Sequence, residues 1–176
     1  MSGSGYVRTI GMTPPALGNN TADAQRLDQA LRKELDTGFV HIPWHLVPEL
    51  SARLRAWDWQ AKVVLFRDRR SFLVVDLLEP ADSAPVLGAA LDIGTTRMVI
   101  SLVDLETGKT LAEKGFDNPQ ADIGPDVLTR IHHARTPGGR VELQDLAVTA
   151  VNRHLAQLCR ENGAAPDRVF LLAGAG

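Results

Sequence analysis

Between residues 21 and 35, apolar side chains return every three or four positions. Ala24, Leu27, Ala30, Leu31 and Leu35 fall on one face, the period of an amphipathic helix. Thr21 stands where a cap belongs, Asp23 near the positive end, and Gly38 where the helix should stop. Residues 1–20 read as loop, because Pro14-Pro15 and Gly18-Asn19-Asn20 oppose regular structure. A second helix is expected over Pro48–Ala56, its proline in the first turn where the missing N–H costs little. Two strand-like runs follow, Ala61–Phe66 and Ser71–Leu78, with Arg67-Asp68-Arg69-Arg70 as a polar hairpin connection. This part of the chain reads as a small α+β unit of helix, helix and hairpin.

Glu79–Pro85 carries two prolines and is the best linker candidate. After it the rhythm changes. Leu87–Leu91 is strand-like, Asp92–Thr96 is a polar turn with one glycine, and Met98–Val103 is a second strand. Glu106-Thr107-Gly108-Lys109 turns the chain into a third strand ending near Phe116. A helix is expected over Pro125–Ala134, stopped by Pro137-Gly138-Gly139. A longer one is expected over Leu143–Asn162, with Leu146, Ala150, Leu155 and Leu158 on its apolar stripe and Gly163 past its end. Val169–Ala173 is the last apolar run. The expected fold class is α/β, α+β overall, in three stretches: 1–38 as a linker with one helix, 39–86 as a small helix-and-hairpin domain, and 87–176 as the start of a further domain.

Composition narrows the classes. The 176 residues are 44 % hydrophobic and 23 % charged, the balance of a globular chain able to bury a core. A net charge of −2 gives no general pull toward nucleic acid or an anionic membrane. No stretch approaches the roughly 18 apolar residues of a membrane span. The start Met1-Ser2-Gly3-Ser4-Gly5 lacks the basic and apolar segments of a signal peptide. With Cys159 as the only cysteine, no internal disulfide can form, and a cytoplasmic location is expected.

The turn Asp92-Ile93-Gly94-Thr95-Thr96 carries the candidate chemistry. A glycine there lets backbone approach a phosphate, and exposed N–H groups with two hydroxyls can cradle its oxygens. Asp92 can hold the waters of a Mg²⁺ ion that neutralises the phosphates. The alternative is a tight hairpin whose polar residues serve their own backbone. The order strand, turn, strand sets this segment apart from the glycine-rich nucleotide loops that lead from a strand into a helix.

Leu87-Gly88-Ala89-Ala90-Leu91-Asp92-Ile93-Gly94-Thr95-Thr96 resembles the opening of domains in the superfamily of actin, sugar kinases and heat-shock chaperones, whose fold is ribonuclease H-like. Asn118-Pro119-Gln120, Gly124-Pro125-Asp126-Val127 and Arg130-Ile131 resemble the corresponding segments of the reductive activators of corrinoid proteins. Pro14-Pro15 and the helix from Thr21 resemble that family's linker, and residues 39–86 its small middle domain. The resemblance implies ATP-dependent reduction of a corrinoid protein from cobalt(II) to cobalt(I), with ATP and Mg²⁺ as cofactors. Asp92, Gly94, Thr95 and Thr96 would be the nucleotide-binding residues, and Asp92 the Mg²⁺ residue through water. The implied partners are a corrinoid protein and an electron-donating ferredoxin-type domain, and a homodimer is compatible with it. An iron–sulfur cluster needs four cysteines, so it is expected on another domain or protein. The second phosphate loop and the adenosine pocket are expected beyond Gly176.

Other residues leave alternatives open. Asn118, Gln120 and Asp126 lie near the nucleotide or at a domain interface in one reading, and are loop and helix-start residues in the other. Arg97 stands where the family often has a threonine, and either touches a phosphate or points to solvent. Arg53, Arg55, Lys62, Arg67, Arg69 and Arg70, with Trp57 and Trp59, form a basic aromatic set. A solvated hairpin tip or a protein contact suits the acidic total better than nucleic acid does. His132 and His133 are adjacent on a helix and diverge, Cys159 reads as a small helix residue, and Trp44 as core. The rivals are a metabolite kinase of the same superfamily and a non-catalytic docking module.

Overall fold

The computed structural model describes residues 6–69 and 71–176. Met1–Gly5 of the expected N-terminal loop and Arg70 of the expected hairpin connection lie outside the described residues. The chain divides into two compact units. One takes the residues up to Val86 together with Leu105–Thr107, and the other takes Leu87–Asp104 and Gly108–Gly176.

In the first unit the elements are β1 (Val7–Gly11), α1 (Asp23–Leu35), β2 (Val40–His41), α2 (Val47–Ala56), β3 (Gln60–Asp68) and β4 (Ser71–Leu78). The sheet order is β1-β3-β4-β2, antiparallel except for the parallel β2–β4 pair. Leu27 and Leu31 of α1, Leu50 and Leu54 of α2, and Ala61, Val63 and Leu65 of β3 share one core. The leucines recur at helical spacing and the β3 residues alternate, so both periods converge on the same interior.

Several expectations are corrected here. Val7–Gly11 is a strand, paired with β3 from Val7↔Val64 to Gly11↔Gln60. Thr21 does not cap α1. The preceding residue is Ala22, with no side-chain cap, and the Thr21 carbonyl instead accepts from buried Arg26. The helix stops at Asp36 in the left-handed region (φ 48°), ahead of Gly38. Trp44 is 86 % exposed on a one-turn 3-10 segment, Trp44–Leu46, which buries Leu46 instead.

In the second unit β5 (Leu87–Ile93), β6 (Arg97–Asp104) and β7 (Thr110–Asp117) form an antiparallel meander, and β8 (Val169–Ala175) lies parallel to β5. Between β7 and β8 run a 3-10 turn (Pro119–Asp122), α3 (Val127–His133) and α4 (Pro137–Glu161). Leu91, Met98, Ile100 and Phe116 of the sheet pack with Ala150 and Leu158 of α4. Pro137-Gly138-Gly139 does not stop a helix but begins one. Thr136 Oγ1 accepts from the Gly139 N–H at 3.0 Å, and Pro137 takes the first helical position. A Cβ on Gly139 would overlap the His133 carbonyl oxygen, so this glycine lets α3 and α4 meet.

Candidate functional site

The β5–β6 hairpin pairs Ile93 with Met98, leaving Gly94–Arg97 as its four-residue tip. A Cβ on Gly94 would overlap the Arg97 carbonyl oxygen. Glycine is therefore demanded by the turn itself, before any ligand approaches. Thr95 and Thr96 are exposed at the tip and Asp92 is exposed at the end of β5.

Asn118, directly after β7, fastens this tip. It is 2 % exposed. Its backbone N–H donates to Thr96 O at 2.8 Å, and its amide Nδ2 donates to Gly94 O at 2.9 Å. Its Oδ1 accepts from Gln120 N at 2.9 Å, so one buried amide holds both the hairpin tip and the start of the 3-10 turn. Pro119 favours that turn, since its fixed φ suits a first helical position. Gln120 then reaches α4, donating from Nε2 to Leu143 O at 2.9 Å.

The structure brings together some expected site residues and separates others. Gly94, Thr95, Asn118 and Gln120 line one cavity of about 310 Å³ with Arg130, Val127 and Ile131. Asp92 lines a separate groove of about 500 Å³ over the small residues Ala90, Ser101 and Ala173. The alternation of β5 explains the split, since Leu91 turns to the α4 core while Asp92 turns away from it. Asp126 lines neither. Its Oδ1 accepts from Thr129 N and its Oδ2 from Thr129 Oγ1, both at 2.9 Å, as the cap of α3. Those bonds hold its carboxyl below the ordinary range. Arg97 lies across β7, its guanidinium within 2.6 Å of where a Gly115 Cβ would be.

Sequence reasoning gave Arg130 no role, yet it is buried beside this cavity, with Nε on Gly124 O at 2.7 Å. No periodicity pointed to it, because the apolar Val127 and Ile131 of the same helix are themselves half-exposed. The basic aromatic set of the first unit is largely occupied by ion pairs. Arg53 pairs with Glu49 and Asp76, Arg55 with Asp23, and Trp59 is buried. Cys159 is also buried, and burial raises its thiol pKa. Among the described residues no group of three or more His, Cys, Asp or Glu is gathered to hold a metal ion.

A small helix-on-sheet unit, followed by a meander with its exposed Asp-Ile-Gly-Thr-Thr tip and a parallel fourth strand, defines a two-unit mixed α/β protein. Residues 6–84 match the RACo linker region and residues 87–176 the RACo middle region, so the chain belongs to the RACo family. It is 31 % identical over 78 residues to the corrinoid activation enzyme RamQ of Eubacterium limosum, covering 44 % of this chain and 13 % of that protein. A solved reductive activator for corrinoid, iron–sulfur protein superposes with a TM-score of 0.83 at 27 % identity, over 96 % of this chain and 27 % of the other. The chain thus spans a small part of the length of the relatives it matches.

Proposed function

We propose that this chain is part of an ATP-dependent activator that reduces corrinoid proteins from cobalt(II) to cobalt(I). The observation that carries the reading is the exposed Gly94–Thr96 tip, held by a buried asparagine and flanked by the exposed carboxylate of Asp92. The tip is prearranged without using its own threonine hydroxyls, as a phosphate cradle must be. On this reading the second unit is the opening of an actin-like ATP-binding fold, and its residues suit Mg²⁺ and ATP. Asp92 would hold the ion through water, Thr95 and Thr96 would meet phosphate oxygens, and Gly94 would give the tip its shape. Bound ATP supplies binding and hydrolysis energy that biases one conformation of the activator over another. The reduction consumes one electron, delivered by a ferredoxin-type domain or protein, because a single cysteine cannot hold a four-thiolate cluster. The corrinoid protein is the partner that receives it.

The test is Asp92→Ala in the full-length protein. Mg-ATP hydrolysis should fall by about two to three orders of magnitude, the effect of losing one positioned charge. Circular dichroism and the unfolding midpoint should stay close to wild type, because the carboxylate is exposed. Unchanged hydrolysis would remove the tip from nucleotide chemistry and leave a docking module as the better reading. Gly94→Val cannot serve alone, since it damages the tip whether or not a phosphate binds.

A further inference from the structure

A buried guanidinium is costly unless an anion answers its charge. Arg130 is 8 % exposed. Of the five N–H donors of an arginine, one goes to Gly124 O at 2.7 Å and one to Gln120 Oε1 at 3.3 Å. Both partners are neutral. Nη2 is buried and meets no hydrogen-bond acceptor among the described residues. No carboxylate lies within ion-pair distance of Arg130 among those residues. The nearby Asp126 gives both carboxylate oxygens to Thr129 and feels the Arg130 charge only through space, without an ion pair.

The cavity that Arg130 helps to wall, of about 310 Å³, has no acidic residue in its lining. That volume holds several waters or one small oxyanion, a water's share of the liquid being about 30 Å³. Thr95 brings an exposed hydroxyl to its rim, and Gln120 and Asn118 bring side-chain amides. Val127 and Ile131, half-exposed on α3, form an apolar side. A carboxylate-free pocket walled by a guanidinium with unspent N–H donors selects an anion over a cation.

We propose that this cavity binds a small oxyanion of the phosphate type, with Arg130 as the charged residue. The site includes Gly94 and Thr95 of the proposed phosphate cradle but is separate from the groove that holds Asp92. It does not rest on the corrinoid reading, and it does not require that nucleotide binds at the tip.

The test uses full-length, nucleotide-free protein with methyl-labelled Ile, Leu and Val, titrated with sodium phosphate against sodium chloride at constant ionic strength. The methyl signals of Val127, Ile131 and Leu143 should move together and saturate, while Val99 beside Asp92 stays still. Calorimetry on Arg130→Met should show phosphate affinity weakened by about tenfold or more, as expected for losing a charge-assisted partner. Arg130→Lys should lose less, and Asp92→Ala should keep the wild-type affinity. Saturation at Val99 with silence at Val127 and Ile131 would place phosphate elsewhere and overturn the proposal. So would an absence of saturable binding, or equal affinity in Arg130→Met. Should Arg130→Met fail to fold, the methyl titration of the unaltered protein decides the matter by itself.

Discussion

Asn118 does more for the hairpin tip than any residue within the tip. Its backbone N–H goes to Thr96 O, its amide Nδ2 to Gly94 O and Gln120 Oε1, and its side-chain oxygen is spent on Gln120 N. Asn118→Ala should therefore destabilise the protein by about 1–3 kcal/mol, the cost of stranding buried partners. Asn118→Asp should be worse, because it sets a carboxylate oxygen against the Gly94 carbonyl where an amide now donates. Hydrogen exchange across residues 94–97 should quicken in both variants; unchanged exchange would show that the tip holds itself. The hairpin tip at Gly94–Thr96 was legible as a polar turn, because a glycine and two hydroxyl residues between strands is a local signal. The sequence could not distinguish a ligand contact from a brace at Asn118, whose partners lie 22 and 24 positions away. Asp126 was legible as a helix start, and its bonds to Thr129 give it that work.

Among the elements, the strands that alternate and the helices that repeat were readable, and those made by long-range pairing were not. The short run Val7–Gly11 contains three β-branched residues but ends in glycine, and its ladder to β3 secures it as a strand. The opening of α4 misled for another reason, since proline and glycines signal a stop by composition but a start by position once Thr136 caps them. The two glycines there should behave oppositely. Gly138 has nothing within 4 Å of an added Cβ, so Gly138→Ala should raise stability by up to about 0.5 kcal/mol by stiffening the unfolded chain. Gly139→Ala should cost more than about 1 kcal/mol, because the methyl meets the His133 backbone. Denaturant unfolding of the two variants checks both signs, and matched destabilisation would refute this account of the α3–α4 approach.

For the molecule as a whole, Glu79–Pro85 is more than an open tether. Asp82 N donates to Glu79 O at 3.0 Å, Ala84 N donates to Asp82 Oδ1 at 2.8 Å, and Lys62 Nζ donates to Asp82 O. Its prolines were read as a break in regular structure, and the chain does turn there, but these bonds tie the turn to the first unit. Limited proteolysis of the folded protein should therefore nick the loop around the fully exposed Leu17 before it enters 79–85. First cuts within 79–85, mapped by mass spectrometry, would show that the turn opens more readily than its hydrogen bonds suggest.

The parallel pairing of β5 with β8 also has a consequence for how the protein is made. Leu87 lies opposite Val169, whereas the pairings within the meander from Leu87 to Asp117 join near neighbours in sequence. On the ribosome, the three-stranded ribbon bearing the Gly94 tip can assemble as soon as it clears the exit tunnel. Its fourth strand waits for all of α3 and α4 to be translated. Asn118, the residue that clamps the tip, emerges directly after that ribbon. The nascent chain therefore closes the tip early, while one edge of β5 still stands unpaired and open to other strands.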